Sequence, residues 1–244
     1  MLKIIFGKIW AVWGILVFFG SLLLMLPIVI PTSFYAEPKK SEIFYKISVV
    51  WMRIFLALTG CPLKLVGKQH FAPRHNYIVT TNHNAFLDVP IASPFIPATN
   101  KTIGKIEFSR IPIFNLMYNR GAVLVDRKSD QSRAKSYDDM KIVLSRGWHM
   151  GIYPEGTRNK TNEPLQPFKN GAFRLAVETN TSIIPCLIFN TKKAMPSKYK
   201  FILFPTKLEM HFLAPIAPAG KTIDYLKNEV YDVMKNYYVS NYIP

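Results

Sequence analysis

A histidine and an aspartate stand five positions apart in the stretch TTNHNAFLD, at His83 and Asp88. The preceding residues, YIVTTN at 77–82, are rich in β-branched side chains and predict a buried strand. His83 is therefore expected just past a strand end, where sites form in α/β sheets, and Asp88 is expected to begin the next helix. A tight loop would bring the carboxylate onto the imidazole and leave the other ring nitrogen as a general base. The alternative is an exposed histidine and a helix-capping aspartate. A metal site is not expected, because no third ligand lies nearby in the sequence.

The stretch GIYPEGTRNK, at 151–160, has the same form, an apolar strand that ends in a turn. Gly156 permits a ligand to approach the backbone closely. Arg158 offers a permanent cation whose planar fork suits phosphate, and Glu155 could bind a hydroxyl or brace Arg158. Alone, this stretch is equally compatible with a polar turn. A second polar turn at a strand end makes a shared site the better interpretation.

Three further cations lie where elements are expected to begin or end. Lys105 and Arg127 bracket the stretch 104–127, one before a predicted helix and one after a predicted strand. Lys169 stands in FKNGAF at 168–173, where the free N–H groups of a helix start could hold an anion. All three are also compatible with solvated surface charges.

The elements that must position these residues are short strands alternating with helices. Strands are predicted at 63–67, 77–81, 121–126, 150–153, 182–188 and 208–213, and helices at about 129–146, 170–180 and 222–238. The last helix carries a predicted apolar stripe formed by Leu226, Val230, Val233 and Tyr237. This alternation predicts an α/β fold, with a mixed, largely parallel sheet flanked by helices.

The N-terminal segment is predicted to bind a membrane. No charge occurs from Ile9 to Ala36, and the apolar run 9–30 is long enough to cross a bilayer. A cleaved signal peptide is the alternative, but the run is long for one and bulky Phe34 stands near the most plausible cleavage site. We therefore predict an uncleaved anchor.

A second apolar stretch follows at 43–60, with Lys46 and Arg53 on one helical face. It is compatible with an in-plane interfacial helix, with Trp51 and Phe55 in the lipid boundary, or with a helix packed on the following domain. The predicted organisation is an N-terminal membrane-anchoring two-helix module at 1–60 and a catalytic domain at 61–244.

The charge balance favours anionic partners. The chain has 31 Lys and Arg against 15 Asp and Glu, a formal net charge of +16. Lipid headgroups and phosphorylated substrates fit such a balance, whereas no RNA-binding signature or basic-helix repeat supports nucleic acid. The two cysteines, Cys61 and Cys186, are too isolated for a disulfide framework or a zinc motif.

The order of these motifs resembles the 1-acylglycerol-3-phosphate acyltransferases of the glycerolipid acyltransferase family, from about residue 60 to 215. The matching pieces are H-x4-D, K-x-E with IPIF and VDR, PEGTR, FKNGA and IIPC. By this resemblance His83 and Asp88 are catalytic. Its glycerophosphate-binding motif falls on Glu155, Gly156, Thr157 and Arg158, and its basic phosphate contacts fall on Lys105 and Arg127. Departures at Ala85, Asn115 and Cys186 concern the acceptor pocket rather than the chemistry.

The resemblance implies a membrane-bound enzyme that transfers an acyl chain to the sn-2 hydroxyl of lysophosphatidate. The donor is acyl-CoA or acylated acyl carrier protein, no cofactor or metal is expected, and the partners are membrane lipids. The catalytic domain is expected to face the cytosol, at the inner membrane if the source is bacterial. Two alternatives are another lysolipid acceptor, such as lyso-ornithine lipid or a lysophospholipid, and a non-catalytic lipid-binding membrane protein.

Overall fold

The computed structural model describes residues 1–242. Its strands are β1 (Leu63–Val66), β2 (Ile78–Thr81), β3 (Asn100–Lys105), β4 (Ala122–Val125), β5 (His149–Ile152), β6 (Ile183–Phe189) and β7 (Leu208–Phe212). Its α-helices are α1 (Leu2–Val29), α2 (Lys39–Leu58), α3 (Asp88–Phe95), α4 (Phe114–Gly121), α5 (Asp130–Ser145), α6 (Gly171–Thr179), α7 (Thr191–Ala194) and α8 (Ile223–Asn241). Short 3₁₀ helices lie at Ile30–Phe34, Lys68–His70 and Ile106–Arg110.

All seven strands form one sheet in the order β1-β7-β6-β2-β5-β3-β4. Every neighbouring pair is parallel except β6 and β7, which run antiparallel. The predicted mixed, largely parallel sheet is therefore confirmed. Because β2, β5, β3 and β4 are parallel neighbours, their carboxyl ends meet along one edge, which is where ligands bind in open α/β sheets.

Strand β3 was not predicted. Its sequence, NKTIGK, has no apolar run, and half of the strand is only partly buried. Pairing on both sides makes it a strand, since Thr102 lies opposite Ala122 of β4 and Gly151 of β5. Packing explains the glycine at position 104, because a Cβ there would lie 2.5 Å from the Tyr118 hydroxyl.

The predicted helices are present, but the buried face of α8 differs from the predicted one. The Ser129 side chain caps α5 by accepting a bond from the Ser132 N–H at 3.2 Å. Along α8 the buried positions are Leu226, Val230, Met234 and Tyr238. The predicted stripe through Val233 and Tyr237 is wrong in its second half, because the buried face continues at a spacing of four residues.

The two N-terminal helices form an antiparallel hairpin. The Trp10 indole donates to the Thr59 carbonyl and the Trp51 indole donates to the Ser21 hydroxyl, both at 2.9 Å. The segment Leu2–Phe34 is, by length and composition, the one helix of residues 1–242 that could cross a membrane. Trp51 and Phe55 are only 5% and 6% exposed. They pack inside the protein, which supports the alternative of a helix packed on the following domain over an interfacial helix with these two residues in the lipid boundary.

Helix α1 also lies against the segment that follows α7, in a contact we name the α1 seam, formed by Gly7, Gly14, Leu203 and Phe204. The Leu203 N–H donates to the Gly7 carbonyl at 3.0 Å. A Cβ at Gly7 would lie 2.6 Å from the Phe204 ring, and one at Gly14 would lie 2.8 Å from the Leu203 side chain. The two glycines, seven residues apart, therefore provide a flat face on which this segment packs.

Candidate active site

The predicted pair is formed at the carboxyl end of β2. The Nδ1 atom of His83 lies 2.9 Å from Oδ2 of Asp88, and the two side chains are 14% and 1% exposed. A carboxylate only accepts hydrogen bonds, so Nδ1 carries the proton and the neutral imidazole has a free lone pair on Nε2. The imidazole can thus act as a base, and its side chain remains partly accessible to solvent.

Two backbone amides fix the position of the Asp88 carboxylate. Its Oδ2 atom accepts from the Asn84 N–H at 2.5 Å and from the Ala85 N–H at 2.7 Å. Asp88 is also the first residue of α3, where the helix dipole favours a negative charge. Asn84, Ala85 and Asp88 thus form a closed turn beside His83, and their spacing in the sequence is sufficient to build it.

Tyr153, at the end of β5, packs on the imidazole. Its ring stacks on that of His83 with centroids 4.3 Å apart and an interplanar angle of 27°. Its hydroxyl donates to the backbone carbonyl of Asp88 at 2.9 Å. Burial holds the pKa of Tyr153 well above its usual range, so this hydroxyl remains a donor. Tyr153 therefore restricts the ring of His83 and ties it to the start of α3.

Glu155 was predicted to bind a substrate hydroxyl or to brace Arg158, but in the structure its carboxylate has other partners. It is 2% exposed. Its two oxygens accept from the backbone N–H groups of His83, at 2.7 Å, and of Gln166, at 2.9 Å. Burial raises the pKa of Glu155 to about 7, although both N–H donors favour the anion. Glu155 braces the His83 backbone; it offers no free carboxylate to a substrate hydroxyl and makes no bond to Arg158.

The carbonyl of His83 is held from the same loop. It accepts from the Asn159 N–H at 2.6 Å. The Asn159 side-chain oxygen accepts from the backbone and hydroxyl of Thr161, and Lys192 of α7 donates to the Thr161 carbonyl at 2.9 Å. Burial lowers the pKa of Lys192, against the pull of the Glu155 and Asp88 carboxylates. Both backbone groups of His83 are thus bonded to the loop that follows β5.

Lys105, Arg127, Gly156 and Lys169 lie along the β5-β3-β4 part of the edge. Lys105 ends β3 opposite Val125 of β4, and Arg127 follows two residues later. The Arg127 guanidinium contacts the Gly156 carbonyl. Gly156 has a φ of +74°, and a Cβ on it would lie 3.6 Å from the Lys169 side chain. The structure therefore brings Arg127 and Lys169 to the turn that was predicted to bind glycerophosphate, and Lys105 lies at the end of the neighbouring strand β3.

Arg158 leaves that turn in the other direction. It lines a cleft of about 280 Å³ on the β6 side of the site. The lining residues are Asn84, Ala85, Phe86, Arg158, Lys160, Met195, Pro196, Ser197, Tyr199, Lys200, Phe201 and Ile202. Neither Lys105 nor Arg127 is among them, so the three predicted phosphate contacts do not line a single cleft. Thr157, between the two sides, is exposed and donates to the Gln166 side chain at 3.2 Å.

Both cysteines, Cys61 and Cys186, are buried and free. Among residues 1–242, no group of three or more His, Cys, Asp or Glu side chains is arranged to hold a metal ion.

The arrangement is a histidine base, a carboxylate that orients it and cations on both sides of a glycine turn. The family model described as Acyltransferase matches residues 62–189, more than half of the chain. The chain belongs to the acyltransferase family. The match includes the dyad, the glycine turn and strands β1 to β6.

Curated relatives support the assignment to the acyltransferases. The chain is 29% identical to the 1-acyl-sn-glycerol-3-phosphate acyltransferase of Borreliella burgdorferi over 202 residues, which are 78% of this chain and 77% of that protein. It is 28% identical over 169 residues to the mouse 1-acyl-sn-glycerol-3-phosphate acyltransferase alpha, 68% of this chain. That alignment spans 59% of the mouse protein, less than two thirds of its length.

A solved acyltransferase has the same fold. The crystal structure of the 1-acyl-sn-glycerophosphate acyltransferase from Thermotoga maritima superposes with a TM-score of 0.83 at 20% identity, covering 97% of this chain and 96% of that one. Coverage of 97% means that the likeness includes the N-terminal helices as well as the sheet.

Sequence reasoning missed several residues of this acyltransferase site. Tyr153 precedes the Pro154 turn, and an aromatic residue at a strand end next to a predicted site was an available signal. Asn159, Lys192 and the segment 195–202 reach the site only through tertiary packing, so their local patterns carried no such signal.

Proposed function

We propose that this acyltransferase moves an acyl chain from a thioester to the sn-2 hydroxyl of 1-acylglycerol-3-phosphate and so produces phosphatidate. The observation that carries the proposal is the bond between His83 Nδ1 and Asp88, which leaves Nε2 as a base at a site flanked by cations. The curated relatives named for this reaction support the same acceptor.

In the proposed reaction, His83 Nε2 takes the proton of the sn-2 hydroxyl as its oxygen attacks the thioester carbonyl carbon. Asp88 stabilises the imidazolium that forms. The tetrahedral intermediate collapses by breaking the carbon–sulfur bond, and the thiolate takes the proton from His83. The new ester and a free thiol are the products, and His83 returns to its neutral form. No acyl-enzyme intermediate and no prosthetic group are required, because the thioester is already activated.

The phosphate of the acceptor aims its hydroxyl at the base. Arg158 supports this role, since a guanidinium fork can bind phosphate with two parallel bonds and thereby fix the direction of the glycerol. Lys105 and Arg127, on the other side of the glycine turn, are proposed as further contacts to anionic groups of the substrates. Lys169 beside Gly156 has the same proposed role.

The N-terminal hairpin is proposed to hold the enzyme on a membrane, where its lipid acceptor resides. Support comes from the Leu2–Phe34 helix, whose most apolar stretch is only 22% buried inside the protein. The donor is proposed to be acyl-CoA or acylated acyl carrier protein, so the catalytic domain faces the cytosol.

The test is release of free thiol by purified, detergent-dispersed protein with acyl-CoA or acylated carrier protein and a panel of lysolipids. We expect turnover with lysophosphatidate, phosphatidate as product and poor use of monoacylglycerol. A preference for lyso-ornithine lipid or a phosphodiester lysolipid would identify a relative with another acceptor. Absence of thiol release with every acceptor would contradict catalysis altogether and favour a lipid-binding role.

A further inference from the structure

The cleft beside the dyad contains more positive charge than the predicted motifs account for. Arg158, Lys160 and Lys200 all line it, and none of its lining residues is acidic. Ser197 and Tyr199 add hydroxyl groups to the same walls. Lys160 and Lys200 were not among the predicted site residues, and Lys200 comes from the segment after α7, remote in sequence from the dyad.

Three cations without a carboxylate produce a positive potential at a concave surface. Like charges held together disfavour one another, and a bound anion relieves that repulsion. The charge of a phosphomonoester is about −1.5 to −2 at pH 7, because its second pKa is near 6, as for phosphorylated side chains. A phosphodiester carries a single charge. A cleft with three cations therefore favours the monoester over the diester.

The position of the cleft indicates which substrate supplies the phosphate. Asn84 and Ala85, which line it, directly follow His83 in the chain. In 1-acylglycerol-3-phosphate the phosphorus is four bonds from the sn-2 oxygen, a span of roughly 5 Å for bonds near 1.5 Å. In a pantetheine thioester the nearest phosphate lies a whole pantetheine arm from the reacting carbonyl. A phosphate site next to the base therefore fits the acceptor better than the donor.

We infer that Lys160 and Lys200, together with Arg158, make this cleft a site selective for a phosphomonoester headgroup, and that the two lysines determine acceptor specificity. The inference rests on the proposed acyl transfer and deepens it. Phe86, Met195 and Phe201 give the cleft apolar walls beside these charges. An amphiphile with a compact dianionic headgroup is the ligand that matches both properties.

The test compares Lys160→Gln, Lys200→Gln and their double variant with wild type on three acceptors. These are 1-acylglycerol-3-phosphate, its phosphoglycerol diester and monoacylglycerol. For the monoester we expect kcat/KM to fall about three- to tenfold for each lysine, as for a lost charge-assisted contact at an exposed site. The diester should lose less, monoacylglycerol should change by less than twofold, and the KM for the donor should remain unchanged. Wild-type preference for monoester over diester should also shrink as the pH falls from 8 to 5.5, because the monoester then takes up its second proton.

Lys198→Gln is the matched control, since it removes the same charge from the same segment but Lys198 does not line the cleft. Equal losses on all three acceptors, a raised donor KM alone, or an effect of Lys198→Gln as large as that of Lys200→Gln would overturn the inference. Stabilisation by sn-glycerol 3-phosphate in thermal melts gives a readout independent of turnover. Wild type should be stabilised and the double variant should not. Failure of wild type to acylate any acceptor would instead contradict the proposed function, and the melts would still decide the headgroup site.

Discussion

Glu155→Gln should make the stability of the protein less sensitive to alkaline pH while making the protein a poorer enzyme. The carboxyl is buried, and its pKa is raised from 4.5 to about 7. A group with a raised folded-state pKa contributes stability that is fully present below about pH 4.5 and is lost as the pH rises through about 7. At about 1.4 kcal/mol for each tenfold change in proton affinity, the loss is about 3 kcal/mol.

A glutamine at this position has the shape of the protonated acid and does not ionise. Between pH 5 and pH 8 the melting temperature of the wild type should therefore fall by about 5–10 °C more than that of the Glu155→Gln variant, given ~2–4 °C per kcal/mol for chains of 150–250 residues. The assay is thermal unfolding in one detergent across pH 5 to 8, read as the difference between the proteins.

The activity of the variant should fall. Glutamine has one acceptor oxygen where the carboxylate has two, so either the His83 or the Gln166 N–H loses its partner. Loss of a buried partner lowers the stability of the variant by ~1–3 kcal/mol at every pH and loosens the backbone that carries the base. We expect kcat to fall about tenfold or more with little change in KM. A melting-temperature difference that stays constant from pH 5 to 8 would refute the buried-carboxyl reasoning.

Three other outcomes follow from the site and the hairpin. His83→Ala should lower kcat by ~10²–10⁴, and Asp88→Asn should be similarly severe. The double variant should be no worse than the poorer single variant, because the two residues act as a unit. Additive losses in a thiol-release assay would contradict this. Arg158→Lys keeps the charge but not the fork, so the KM for lysophosphatidate should rise with a smaller effect on the donor KM, and monoacylglycerol turnover should hardly change; an effect confined to the donor would move Arg158 to the donor site. Gly7→Leu places a side chain where the Phe204 ring lies 2.6 Å from the Cβ position, so it should lower the melting temperature, whereas Gly20→Leu, with nothing within 4 Å, should not.

The dyad was predictable from sequence because its geometry is local. Asp88 is held by amides three and four residues earlier in the same turn, so the spacing alone fixes the contact with His83. The strand before it was recognisable because β2 is buried along its whole length, which requires an unbroken apolar or β-branched run. Local chemistry and burial pattern therefore yielded both the fold class and the centre of the site.

The parts that escaped prediction depend on contacts remote in sequence. Strand β3 takes its conformation from two neighbours rather than from its own polar residues. Glu155 looked like a ligand because its sequence neighbours do; only its burial and its bond to the His83 N–H reveal a bracing role. Arg158 and Arg127 lie on opposite sides of Gly156. The direction in which each side chain points is not encoded in the motif, so this separation could not be predicted.

The α1 seam places one stretch of the chain, residues 202–203, between the cleft and helix α1. Ile202 lines the cleft, and the next residue, Leu203, donates a hydrogen bond to the Gly7 carbonyl of helix α1. With α1 as the proposed membrane anchor, we expect a tilt or vertical shift of that helix to displace Leu203 and, with it, the adjacent cleft wall. We therefore expect turnover to vary between vesicles that differ only in acyl-chain length.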